Sequence, residues 1–207
     1  MWRVLLLALC AACLGLAAQP PVILVFGDSL SAGYGLPQGK GWVDLLQQRL
    51  EREGYPYRVV NASISGETTL GGRNRLAETL AQQHPAIVVL ELGANDGLRG
   101  QSITDMRDNL TQMIDISRAH RAKTLLVGMR IPPNYGPGYT KKFQQAFLEV
   151  SRDARVPLVP FLLDGFAAKR ELFQADGIHP GIQAQALVLD NVWKRLQPML
   201  GRPPRGK

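Results

Sequence analysis

Short apolar runs that do not alternate with polar residues constrain this chain more than any other feature. VILVF (22–26), AIVVLEL (86–92) and KTLLVGM (123–129) are of strand length, and YRVVN (57–61) and VPLVPF (156–161) join them. A strand with one wet face alternates, whereas a strand covered on both faces reads as a near-continuous Val/Ile/Leu run. Between the runs lie stretches with helical spacing. WVDLLQQRL offers Trp42, Leu45, Leu46 and Leu50; MRDNLTQMIDIS offers Met106, Leu110, Met113 and Ile114. FQQAFLEVS offers Phe143, Phe147 and Val150, and the last run offers Ile182, Ala186, Leu189, Val192, Trp193 and Leu196. Strand alternating with helix predicts βα units on a parallel sheet, an α/β fold.

Such a sheet binds ligands outside the carboxyl ends of its strands, where the strand order reverses. Residues capable of chemistry should therefore follow the strands directly. Four do so: Gly27-Asp28-Ser29 after the first, NASISGETT (61–69) after the second, GANDGLRG (93–100) after the third and RIPPNYGPGY (130–139) after the fourth. A buried strand that stops on an acid and a serine is unusual, because a simple turn would be served by Asn-Gly or Pro-Gly.

The chain has three histidines, so the search for a general base is short. His84 precedes Pro85 at the end of a helical stretch, and His120 sits in the polar run RAHRAK; both read as surface residues. His179 lies in QADGIHPGI with Asp176 three residues earlier, close enough for a carboxylate to hold the imidazole in one tautomer. A serine becomes a nucleophile when a base takes its proton and donors await the developing oxyanion. Ser29 is the candidate nucleophile, and Gly27 and Gly33 let a substrate approach the backbone beside it. Gly66 offers an unobstructed amide and Asn95 a side-chain NH2. Taken singly, each of these residues also has an ordinary use as a cap or turn former. Asp28 is assigned to holding the turn.

Together the blocks FGDSLSAGYG, NASISGET, LGANDGLRG and DGIHP resemble the GDSL or SGNH hydrolase superfamily, in order and over essentially the whole chain after its first residues. Within it, NASISGET, ELGANDGLRG and PPNYGPGY are similar to the bacterial periplasmic thioesterase I, lysophospholipase and arylesterase group. The resemblance implies a three-layer, flavodoxin-like α/β/α fold with a five-stranded parallel sheet. It implies Ser29 as nucleophile, His179 as base and Asp176 as its partner, with the Ser29 and Gly66 amides and the Asn95 side chain as oxyanion hole. It also implies an acyl groove lined by Gly97, Leu98 and Arg99 after the third strand and by Pro133, Asn134 and Tyr135 after the fourth. The expected reaction is hydrolysis of acyl esters or thioesters through an acyl-enzyme, without cofactor or metal.

Two alternatives are set beside this reading. One is a carbohydrate acetylesterase using the same triad. The other is a flavin- or nucleotide-binding module on the same fold, but GYGLPQG places its third glycine one residue late for G-x-G-x-x-G, and no GK[ST] P-loop occurs. The α/β-hydrolase elbow G-x-S-x-G is absent as well.

Charge argues against nucleic acid as a partner. The formal net charge is +7, but of 24 basic residues Arg3, Arg202, Arg205 and Lys207 sit at the two ends, leaving 20 against 17 acidic ones. No stripe interleaves aromatic with basic residues as single-strand binders require. A small-molecule substrate and a monomer are expected.

The first residues, MWRVLLLALCAACLGLAA, have a basic start, a short apolar core and small residues at a cleavage point near Ala18, the pattern of a secretory signal. The expected organisation is a signal peptide over 1–18, a hydrolase domain over 19–200 and a basic tail over 201–207, with periplasmic or secreted localisation and no lasting membrane insertion. Both cysteines, Cys10 and Cys13, fall in the leader. Cys13 has two alanines before it and Cys10, not leucine, three positions back, so lipid anchoring there is the alternative to plain cleavage.

Overall fold

A computed structural model describes residues 19–201. The expected signal segment, and the tail from 202, lie outside the described residues. Five parallel strands form one sheet: β1 (Val22–Gly27), β2 (Arg58–Asn61), β3 (Ile87–Glu91), β4 (Lys123–Val127) and β5 (Leu158–Val159). Their order is β2-β1-β3-β4-β5, with all neighbours parallel. The order reverses at β1, so the carboxyl ends of β1 and β3 adjoin at the switch point. There Gly27 is in register with Glu91, the last residue of each strand.

The helices among the described residues are α1 (Ser29–Ala32), α2 (Trp42–Arg52), α3 (Thr69–Gln83), α4 (Ala94–Leu98), α5 (Ile103–Ala119), α6 (Pro137–Ala154) and α7 (Gln185–Leu196). Helix α5 packs between α3 and α6, while α2 pairs with α7, giving the two outer layers of a three-layer α/β/α sandwich. β1 and β3 are buried along their whole length, as their unbroken apolar runs predict. Each fully buried Leu, Ile or Phe contributes on the order of 1.5–3 kcal/mol over an exposed one, and this sheet holds many.

Three elements depart from the sequence expectation for physical reasons. β2 is an edge strand and only half-buried. Its free backbone is covered by Gln47 of α2, whose Oε1 accepts the Val59 amide at 2.7 Å and whose Nε2 donates to the Tyr57 carbonyl at 3.4 Å. β5 shrinks to two residues because Pro157 and Pro160 flank it and carry no N–H for a ladder. α7 starts at Gln185 after a 3-10 turn over Ile182–Ala184, which shifts the helical phase. Ile182 and Ala186, expected to face inward, are therefore exposed, and the Gln185 side chain is buried instead.

Candidate active site

The turn after β1 is built first by Asp28. Its Oδ1 accepts the Leu30 amide at 3.0 Å and so caps α1, which ends on Gly33 in the left-handed region at φ 77°. Ser29, the first residue of this short helix, is thereby lifted off the strand axis and half-exposed. The segment after β2 fastens the turn from the other side. The Gly27 amide donates to Ser63 Oγ at 3.1 Å, the Ile64 amide to the Gly27 carbonyl at 3.0 Å, and Asn61 Nδ2 to the Ser31 carbonyl at 2.8 Å. Gly27 itself admits no side chain, since a Cβ would stand 2.6 Å from Glu91 Oε2 and 2.9 Å from Ser31 Oγ.

His179 arrives from a loop 150 residues away in sequence. Its Nε2 lies 2.8 Å from Ser29 Oγ and its Nδ1 lies 2.6 Å from Asp176 Oδ2. The other carboxylate oxygen, Asp176 Oδ1, accepts the amides of Ile178 at 2.9 Å and His179 at 3.0 Å. Desolvation alone would raise the Asp176 pKa, but the bonds from the His179 amide, the His179 ring and the Ile178 amide outweigh it and hold the group at about 2. A carboxylate so held accepts from Nδ1–H, which leaves Nε2 as the acceptor for the Ser29 hydroxyl. The ring of Tyr34 lies against the imidazole, centroids 4.6 Å apart.

Asn95 is the second residue of α4, whose entry is made by Gly93 at φ 118°. Its Nδ2 donates to Asp28 Oδ2 at 3.1 Å and to the Glu67 carbonyl at 3.0 Å. Gly66 sits one residue before Glu67 at φ 81°, a conformation that favours glycine. Neither the Ser29 nor the Gly66 amide has a protein acceptor among the described residues. Ser29, Gly66, Asn95, Asp176 and His179 are thus brought together at the switch point.

The six residues expected to line a groove are placed unevenly. Leu98 is half-buried, while Arg99, Pro133, Asn134 and Tyr135 are exposed, the last three in a 3-10 turn. Arg99 Nη2 donates to the Gly66 carbonyl at 2.9 Å. The Tyr135 hydroxyl donates to the Leu98 carbonyl at 2.8 Å, so the two stretches are tied to each other. Gly97 differs from its expected place: it is buried under α6 and β4's following segment, where a Cβ would lie 2.5 Å from Phe143 Cε2 and 2.7 Å from Ile131 Cγ2. It seats α4 rather than offering surface. Among the described residues, no group of three His, Cys, Asp or Glu side chains is arranged for a metal ion.

Glu91 is one residue that sequence reading passed over. It closes β3 fully buried, its Oε2 accepting the Ser31 hydroxyl at 2.7 Å and its Oε1 having no partner among the described residues. Burial, reinforced by the nearby Asp28 carboxylate, drives its pKa well above the usual carboxylate range. Burial also raises Asp28, to about 6, against the lowering effect of the Leu30 amide, the His179 ring and Asn95. The available signal was one acid inside an otherwise apolar run.

Comparison with known proteins extends the picture. Residues 25–187 match the model of the GDSL-like Lipase/Acylhydrolase family. Esterase TesA of Pseudomonas aeruginosa is 50% identical over 200 residues, which cover 96% of this chain and 100% of that protein. Thioesterase 1/protease 1/lysophospholipase L1 of Escherichia coli K12 is 39% identical over 184 residues, 89% of this chain and 87% of that one. Among solved structures, the psychrotrophic esterase EstA from Pseudoalteromonas sp., inhibited by monoethylphosphonate, superposes with a TM-score of 0.82 at 44% identity, covering 86% of this chain and 97% of that one.

Proposed function

Because the chain belongs to the GDSL-like lipase/acylhydrolase family, we propose that it is a serine esterase and thioesterase, hydrolysing acyl esters and acyl thioesters at Ser29, Asp176 and His179. The observation that carries this reading is the continuous line from Ser29 Oγ to His179 Nε2 at 2.8 Å and from His179 Nδ1 to Asp176 Oδ2 at 2.6 Å. The P. aeruginosa and E. coli relatives, an esterase and a thioesterase/lysophospholipase, support the substrate class. Family membership weighs against a flavin or nucleotide module, and the names of these relatives weigh against a carbohydrate acetylesterase.

In the proposed reaction Ser29 Oγ adds to the acyl carbonyl as its proton passes to His179 Nε2. The imidazolium that forms is stabilised by the Asp176 carboxylate, whose low pKa keeps it charged. The carbonyl oxygen becomes an oxyanion facing the amides of Ser29 and Gly66 and the Asn95 side chain. Asn95 has two amide hydrogens and two resting acceptors, Asp28 Oδ2 and the Glu67 carbonyl, so serving the oxyanion means sharing or exchanging one of them. Collapse breaks the bond to the leaving alcohol or thiol, which takes the proton from His179. Water then repeats the sequence on the acyl-enzyme, releasing the acid and restoring Ser29.

The acyl chain lies between Leu98 and Arg99 on one side and Pro133, Asn134 and Tyr135 on the other. The reading of 1–18 as a leader makes this an exported enzyme; the intact mass of the secreted protein separates cleavage near residue 18 from a lipidated Cys13. The central test is Ser29→Ala with a matched series of p-nitrophenyl esters and acyl thioesters. Loss of all turnover with an unchanged circular dichroism spectrum is expected. Full turnover by that variant overturns the assignment.

A further inference from the structure

His179 rides on a loop without regular secondary structure, and the bonds inside that loop do not explain its position over Ser29. The Gln174 amide donates to the His179 carbonyl at 2.8 Å, the Gly177 amide to the Gln174 carbonyl at 2.9 Å, and Asp176 Oδ1 collects the two amides beyond it. The loop's base is closed by the Gly181 amide on the Leu172 carbonyl at 2.8 Å, beside the bridge between Phe173 and Pro180. All of these bonds fix His179 relative to Asp176. None of them reaches the segment that carries Ser29, and a misplacement of 1 Å between nucleophile and base is enough to lose most of the rate.

Two glutamine side chains link the His179 loop and its exit to the chain that follows Ser29. Gln185 Oε1 accepts the Trp42 amide at 3.0 Å, while its Nε2 donates to the Pro180 and Gly181 carbonyls at 3.1 and 3.3 Å. That clamp is fully buried and lies at the loop's exit, where α7 begins. On the other side Gln174 Nε2 donates to the Tyr34 carbonyl at 2.8 Å and to the Pro180 carbonyl at 3.3 Å. Tyr34 ends the same short segment as Ser29, its amide bonded to the Ser29 carbonyl at 3.2 Å, and its ring lies on His179 although the residue is 52% exposed. Gly35, at φ 70°, leaves the room this amide occupies, since a Cβ there would collide with Gln174 Oε1. An exposed aromatic ring and a side-chain amide thus converge on the two halves of one hydrogen bond.

Resting on the reading of Ser29 and His179 as nucleophile and base, we propose that Gln174, together with the Tyr34 ring, is a positioning residue that holds the His179 loop in register with Ser29. It touches no substrate and acts through the imidazole. The brace governs the distance between the loops, whereas the bond between His179 and Asp176 is internal to one loop and survives without it.

That separation defines the experiment, made with two variants of the full-length chain. Gln174→Met keeps the reach of the side chain without a donor; Gln174→Glu keeps its shape but sets a carboxylate against the Tyr34 carbonyl. The readouts are kcat and KM for a p-nitrophenyl ester, the rate of covalent labelling by a fluorophosphonate, and the low-field proton resonance of the His179–Asp176 hydrogen bond. We expect kcat and labelling to fall roughly 10- to 100-fold in both variants, with KM little changed and the low-field resonance retained. Labelling within about twofold of the parent in both variants overturns the proposal. Loss of the low-field resonance together with activity also overturns it, because Gln174 would then only be folding its own loop. Ser29→Ala is the control for the underlying reading: fluorophosphonate labelling that persists there refutes the nucleophile and not the brace.

Discussion

Asp28 and Glu91 meet at the carboxyl ends of neighbouring strands, the Asp28 amide donating to Glu91 Oε2 at 3.4 Å in a space closed to solvent. Two carboxyls in one dry site do not both ionise readily. Asp28 has the Leu30 amide, the Asn95 NH2 and the His179 ring on its side, so it is the member that carries charge, while burial and that charge keep Glu91 protonated far above its ordinary range. The layer under the Ser29 turn is therefore a neutral acid packed beneath an ionisable one.

The first prediction concerns stability against pH. A carboxyl whose folded pKa is raised keeps its proton where the unfolded chain has lost it, so stability falls as pH rises from about 4.5 through the folded pKa. Glu91→Gln removes that dependence while preserving the shape of the protonated acid. The variant's thermal midpoint should match the parent near pH 4 and exceed it by a margin that widens toward pH 8. Midpoints that diverge in acid and converge at pH 8 contradict this account.

The sheet and the site were legible in the sequence to different depths. Val22–Phe26 and Ile87–Leu90 announce a doubly covered sheet because burial on both faces leaves no polar alternation to hide them. Ser29, Gly66, Asn95, Asp176 and His179 were visible because they follow strands or precede the last helix and match ordered blocks. Glu91, Gln174 and Gln185 were not. A glutamine that joins two carbonyls across 140 residues looks like any polar loop residue until the chain has folded. The helical stretch ending at His84 was visible, but not that Gly72 is required where α3 presses on Phe26 and Leu92.

Gly97→Ala tests whether α4 is seated by that glycine. A new Cβ would stand 2.5 Å from Phe143 Cε2 and 2.7 Å from Ile131 Cγ2, so the helix or its floor must move. Overpacking of this kind costs about 1–3 kcal/mol. Asn95 lies two residues before it on the same short helix, so kcat should fall along with the thermal midpoint, while Arg99→Ala, at the exposed end, should leave the midpoint nearly unchanged. A variant as stable and active as the parent refutes the seating role.

The hydroxyls of Tyr135, in the loop after β4, and Tyr139, in the first turn of α6, donate to the carbonyls of Leu98 and Gln101, each at 2.8 Å. Both bonds are exposed, so the double variant Tyr135→Phe, Tyr139→Phe should lose only about 1 kcal/mol of stability or less. The proposed groove lies between the two stretches, however. KM should therefore rise several-fold for long-chain esters and stay near the parent value for acetyl esters. An equal effect at every chain length would place the acyl group elsewhere.

Asp176→Asn tests the tautomer directly. The backbone amides of Ile178 and His179 both point at Oδ1, which fixes the oxygen of an asparagine there and turns its NH2 toward His179 Nδ1. Nδ1 must then accept, so the ring proton moves to Nε2, and an Nε2–H cannot take the proton of Ser29. The loss in kcat should be on the order of 1,000- to 10,000-fold with the fold intact, the size seen for the corresponding change in a serine protease triad. The pH profile of the parent separates the partners. A depressed carboxyl contributes stability above its unfolded pKa of 3.8 and loses it as pH falls through about 2, so Asp176 stays charged through any loss of activity above about pH 4. If Asp176→Asn retains more than roughly a tenth of the parent kcat, the carboxylate is a loop fastener and not the imidazole's partner.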